Sequence, residues 1–183
     1  ISFFVLRKVE PATGWHFNFL FLGIGFTLME SAAIVRLALL FGSTWIVNAV
    51  VFSAVLLMIY LANLTVMYGK AASLKSSWLL LFIAIFLNYL IPVSSLTGLS
   101  LELRYLTSGL LIGIPVFAAA SCFSHLFDKQ KSTAYPLGIN LIGAMSGGMI
   151  EYLSMAIGMQ AIWLVVVGVY GLAWITSRVK GTR

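Results

Sequence analysis

Residues 17–41 read FNFLFLGIGFTLMESAAIVRLALLF, a run of apolar and small side chains that contains two ionisable residues, Glu30 and Arg36. About 20 consecutive apolar residues in a helix are enough to cross the roughly 30 Å hydrocarbon core of a bilayer, so this stretch reads as a membrane-crossing helix with charges inside it. An ionised group at the bilayer centre costs roughly 3 kcal/mol on insertion scales, so it faces a bundle interior, a partner or a wet cavity. Glu151 stands in a similar position in a later apolar stretch.

The rest of the chain repeats the pattern. It is 61% hydrophobic and 9% charged, where soluble domains average about 25% charged residues, and its mean hydropathy is +1.05. The expected fold class is all-α, a single polytopic transmembrane bundle over residues 1–183. Six spans are expected at about 17–41, 45–68, 78–97, 105–127, 135–157 and 159–177. Apolar residues 1–6 run straight into Arg7 and Lys8, as the last turns of an earlier span would, so we expect an internal fragment of a longer chain. The order of a signal peptide is absent at this start. The connectors at 7–14, 42–44, 69–77, 98–104, 128–134 and Gly158, and the tail from Arg178, are short and imply antiparallel neighbours. Cys122 is the single cysteine, which leaves no internal disulfide.

Charge sets the orientation. Arg7, Lys8, Lys70, Lys75, Lys129, Lys131, Arg178, Lys180 and Arg183 fall on one side of this topology, whereas Arg104 alone falls on the other. Cytoplasmic loops accumulate Lys and Arg, so the basic loops and C-terminal tail are expected in the cytoplasm. A pI of 9.7 then reflects topology and attraction to anionic lipid; no nucleic-acid partner is expected. Trp15, Trp78 and Trp174 near the basic boundary and Trp45 and Trp163 near the other are placed as an aromatic belt.

Depths follow from helix geometry. At about 1.5 Å per residue, Glu30 rises roughly 20 Å and Arg36 about 28 Å from Phe17, and Glu151 roughly 24 Å from Tyr135. With Asn48 they form one candidate intramembrane polar layer in the outer half. Glu30 and Arg36 lie off the three- and four-residue spacing at which helical neighbours pair. Arg36 is therefore expected to bond Glu151, Glu30 or both across helices, or else to snorkel to the outer surface. Each glutamate is either a structural carboxyl that fixes helix register or part of a transport or proton path. A second, inner polar layer holds Asn63, His125 and Asn140, with Asn88 nearer the middle; asparagines between helices usually act as glue.

Glycine and proline punctuate the helices. Gly23 and Gly25 open like a dinucleotide fingerprint, but they lack its strand, third glycine and distal acid. Packing is the better reading, as it is for the four-residue pairs Gly143/Gly147 and Gly109/Gly113. Gly147-Gly148 predicts a local distortion just before Glu151. Pro92 and Pro115 should kink or end their helices, and Pro136 suits a first turn. With His16, His125, Cys122 and no paired aspartates, there is no metal-ligand spacing and no set of nucleophile, base and orienter. We therefore expect no catalytic residues, metal site or cofactor in this fragment.

Three segments carry a resemblance. LGIGFTLMES (22–31), with ALLFGSTWIVN (38–48) and LANL (61–64), and GINLIGAMSGGMIEYLS (138–154) are similar to the membrane region of bacterial spermidine-synthase-like proteins fused to a major-facilitator-like multi-helix part. The resemblance implies a bacterial inner-membrane bundle attached to a soluble aminopropyltransferase-like or methyltransferase-like domain. That domain's glycine loop and acceptor-binding acids have no matching positions here, so polyamine synthesis does not carry over. Glu30, Asn48, Asn140 and Glu151 fall within the shared segments.

The expected function is an accessory or anchoring membrane domain, not catalytic in itself, partnered by the lipid bilayer and by other membrane subunits or a soluble domain of the same chain. The alternative is a transporter-like domain that handles a cationic or lipid-soluble small molecule through Glu30 and Glu151.

Overall fold

The computed structural model describes residues 16–42, 45–130 and 133–179. Among these it is all-helical, with a helix over each of the six apolar segments. The long helices are α1 (Phe17–Phe41), α2 (Trp45–Met67), α3 (Leu74–Leu90), α5 (Leu101–Phe127), α6 (Ala134–Ile150) and α8 (Ile162–Val179); the short α4 (Val93–Thr97) follows α3, and a 3₁₀ turn (Glu151–Leu153) leads into α7 (Ser154–Ile157). Among the described residues, α1 and α5 are long and apolar enough to cross a membrane, while the apolar stretches Val51–Met67, Leu74–Leu90 and Ile162–Arg178 are shorter.

Each boundary has a local cause. The chain leaves α1 at Gly42 with φ +89°, a region that side chains avoid. Gly158, where a tight turn is expected, has φ +86° and donates its N–H to the Ser154 carbonyl at 2.9 Å. Ser73 caps α3 through the Ser76 N–H. Pro92 ends α3, so the expected span over 78–97 is two helices. Pro115 stands inside α5 without ending it. Pro136 occupies the first turn of α6. A local distortion is expected at Gly147-Gly148, just before Glu151; α6 runs through both glycines to Ile150, and the backbone then tightens into a 3₁₀ turn that begins at Glu151.

Packing centres on α1, which lies most extensively against α6 and α8; α5 packs on α2 and α3, and α3 touches α8. The core between them is formed by large side chains such as Phe19, Leu28, Met29, Leu81, Ile85 and Tyr170. The α1–α6 crossing is built on glycines. A Cβ on Gly23 would overlap the Asn140 carbonyl, one on Gly143 would overlap the Leu20 carbonyl, and one on Gly147 would stand 2.8 Å from the Ile24 carbonyl. The second glycine pair behaves differently: Gly109 faces open space and Gly113 makes only an ordinary contact with Met58. The aromatic belt also needs correction, since Trp78 and Trp163 are buried in the core while Trp45 is 79% exposed. Burial removes the large apolar area of these rings from the surface, and the Trp78 Nε1–H bonds no described residue there. Trp15 lies outside the described residues, as do Arg7, Lys8, Lys131, Lys180 and Arg183.

Candidate functional site

Two prolines decide where polar groups gather. In a helix the carbonyl of residue i accepts from the N–H of residue i+4, and proline has no N–H to give. Pro92 therefore leaves the Asn88 carbonyl without its helical donor, and Pro115 does the same to the Leu111 carbonyl. Inside an apolar bundle an unmet carbonyl is costly. Both are met by side chains. Arg36 donates through Nη1 to the Asn88 carbonyl at 3.1 Å and to Asn88 Oδ1 at 2.7 Å, and through Nη2 to the Ile91 carbonyl. Asn88 turns its Nδ2 to the Leu111 carbonyl at 2.6 Å and to the Ala84 carbonyl at 3.0 Å. Gln160 Nε2 donates to the Asn88 carbonyl at 3.2 Å and to the Tyr89 carbonyl. One asparagine, 1% exposed, thus joins α1, α3, α5 and the segment before α8.

This geometry revises the expected pairing of Arg36. Its guanidinium, 3% exposed, lies on the C-terminal carbonyls of α3, where the helix dipole supplies partial negative charge. Among the described residues it forms no ion pair with Glu30 or Glu151, and it does not snorkel outward. The reason is priority: the orphaned carbonyls need donors, and α3 brings them to α1. Arg104 plays a similar part at the start of α5, donating through Nη2 to the Thr97 carbonyl at 2.6 Å and to the Leu99 carbonyl at 3.2 Å.

The carboxylates are placed separately. Ser31 donates through Oγ to Glu151 Oε2 at 2.8 Å, which ties α1 to the 3₁₀ turn. Glu30, next in sequence and half-buried, bonds no described residue. Asn48 is exposed on α2. The four-residue outer layer is thus resolved into an Arg36 hub, a Ser31–Glu151 link, a lone Glu30 and a surface asparagine.

The inner layer comes together more closely. Asn63 and Asn140 both line a cavity of about 190 Å³ between α1, α2, α5, α6 and α8, with Tyr170 in the same wall. Asn63 also meets Ser124 on α5. His125 lies apart, its Nε2 donating to the Ala72 carbonyl at 2.9 Å, which fixes the tautomer and holds the α2–α3 connector against α5. Tyr170 is wholly buried and its hydroxyl has no partner among the described residues; Gly25 admits the ring, since a Cβ there would come within 2.9 Å of it.

Sequence reading missed Gln160, Ser31 and Tyr170. A signal existed for Gln160 only indirectly, in the carbonyl four residues before Pro92 that needs a donor. Among the described residues no group of three or more His, Cys, Asp or Glu side chains could hold a metal ion. No family model, no curated protein and no solved structure matches the chain.

Proposed function

We propose that this chain is a multi-pass membrane bundle with an accessory or anchoring role, in which the buried polar groups of the outer half serve architecture. The observation that carries this reading is the Arg36–Asn88–Gln160 hub, in which both Nη groups of a buried cation are spent on carbonyls at the C-terminal end of α3 and on the Asn88 side chain, while Nε is buried and bonds no described residue. The exterior supports a membrane setting. Leu79, Leu80, Ile83, Phe86, Leu87 and Leu90 on α3 all face outward, and soluble monomers rarely expose apolar patches beyond a few hundred Å². In this reading α1, α2, α3, α5, α6 and α8 are the six spans, with the Lys70, Lys75 and Lys129 connectors cytoplasmic. The resemblance to the membrane region of spermidine-synthase-like fusions adds a bacterial inner membrane and a soluble catalytic partner domain.

A second reading keeps one specific observation. Glu30 has no partner among the described residues and sits next to the Ser31–Glu151 link, so a cation could be held there. The two readings are separated by purification and uptake. An accessory domain stays in the membrane pellet through alkaline carbonate extraction and leaves mild detergent in a complex with further subunits. A transporter purifies alone and takes up a small amine in a manner abolished by Glu30→Gln. Recovery in the soluble fraction would overturn both.

A further inference from the structure

The inner cavity plays no part in the architecture just described. Its walls bring Phe26, Phe123 and Tyr170 together with Leu22 and Ile59, and its polar groups are Asn63, Asn140 and the Tyr170 side chain. We propose that it is a binding site for an uncharged, single-ring molecule bearing carbonyl oxygens, a quinone-type headgroup.

Size comes first. A cavity of about 190 Å³ exceeds the roughly 150 Å³ in which a benzene ring is known to sit and falls short of the roughly 300 Å³ at which drug-sized sites begin. One substituted ring fits. Charge is decided next, because among the described residues no Lys, Arg, His, Asp or Glu lines the space. A cationic amine would be buried there without a counter-charge, at a cost that a neutral molecule avoids. Three aromatic walls favour a flat guest, which can stack or meet ring edges.

Hydrogen bonding then selects the guest's polar atoms. A buried hydroxyl without a partner is uncommon in native proteins and asks for an acceptor. Tyr170 offers one O–H. The Asn140 amide, bonded to no described residue, offers two N–H donors. Ser124 Oγ has a single proton and lies on both the Ala120 carbonyl and the Asn63 amide, so Asn63 keeps at least one N–H whichever way its amide is turned. Each of these groups thus keeps a proton to give, and carbonyl oxygens on a ring accept from them. Asn63 is itself exposed, which gives the site a mouth beside α2 at the depth of the inner layer. The proposal is independent of whether the bundle anchors or transports.

The test uses the detergent-solubilised chain with duroquinone as probe and durene, the same methylated ring without carbonyls, as its control. Equilibrium dialysis should show saturable, one-to-one duroquinone binding that exceeds durene binding. Tyr170→Phe keeps the ring and removes the hydroxyl; it should weaken duroquinone about two- to tenfold, the size of one neutral hydrogen bond, and leave durene unchanged. Asn140→Leu, a near-isosteric change at a half-buried position, should do the same, and a thermal melt of each variant checks that the bundle is intact. Absence of saturable binding, equal binding of duroquinone and durene, or two folded variants that bind like the parent would overturn the proposal, and the first of these would mean that the cavity holds only water.

Discussion

Arg36 shows how a residue's neighbours, more than its charge, decide its role. A guanidinium buried at 3% exposure with no carboxylate would be untenable by ion-pair logic alone, yet the two Nη groups of its planar fork match a helix end at which a proline has removed an N–H. Removing it should therefore hurt because of Pro92. Arg36→Leu is expected to destabilise the bundle by about 2–4 kcal/mol, the cost of leaving more than one buried acceptor unmet. In a Pro92→Ala background the restored N–H can serve the Asn88 carbonyl, and the same substitution should cost less, with a coupling energy above about 0.5 kcal/mol in a thermal-denaturation double-mutant cycle. Additive effects would remove the proline from the explanation. Glu151→Gln retains an acceptor for Ser31 Oγ and should change stability by less than about 1 kcal/mol. Asn88 was legible as inter-helix glue in the sequence; Gln160 was not, because it stands at the very start of the expected 159–177 span and its target carbonyls become neighbours only when α3 and α8 pack.

At the scale of elements, helix contact depends on which glycines meet backbone. The sequence presents Gly143/Gly147 and Gly109/Gly113 with identical spacing, and nothing local distinguishes them. In the fold the first pair lies under α1 and the second does not. Opposite outcomes follow for one substitution. Gly23→Ala or Gly143→Ala puts a methyl group into a main-chain carbonyl of the facing helix, and neither backbone can yield without separating α1 from α6, so a loss of at least about 2 kcal/mol is expected. Gly109→Ala meets nothing within 4 Å and should gain roughly 0.5–1 kcal/mol from helix propensity. Melting temperatures of the three variants in one detergent would settle it, and a Gly23 variant as stable as the parent would mean that the crossing is looser than described. Helix ends were the most legible elements: Gly42, Pro92, Pro136 and Gly158 each act where local conformational chemistry says they must. Pro115 is the exception, continuing inside α5 because Asn88 takes the carbonyl it frees.

For the whole molecule, the residue contacts between α1 and α6 advance together, from Leu20 with Gly143 to Ser31 with Glu151, so these two helices run in the same direction. Helices α1 and α6 would thus both leave the basic side, as an alternating six-span path requires. In a Cys122→Ser background, Ala72→Cys and Ser100→Cys occupy exposed connectors at opposite ends. A membrane-impermeant thiol reagent should label the first only from the cytoplasmic side and the second only from the other, and labelling of both from one side would break the six-span proposal.

Apolar composition, run length and the punctuation of glycine and proline depend on single residues and their immediate neighbours, so the helical class of this protein and the positions of its helices follow from the sequence alone. Partner choice was decided only by tertiary structure. Arg36 took carbonyls in place of glutamates, two tryptophans entered the core, and Asn63, Asn140 and Tyr170 converged on one cavity. The physical reason is that a buried polar group bonds whichever complementary atom packing brings within about 3 Å, and that proximity is a property of helix crossings that no local pattern encodes.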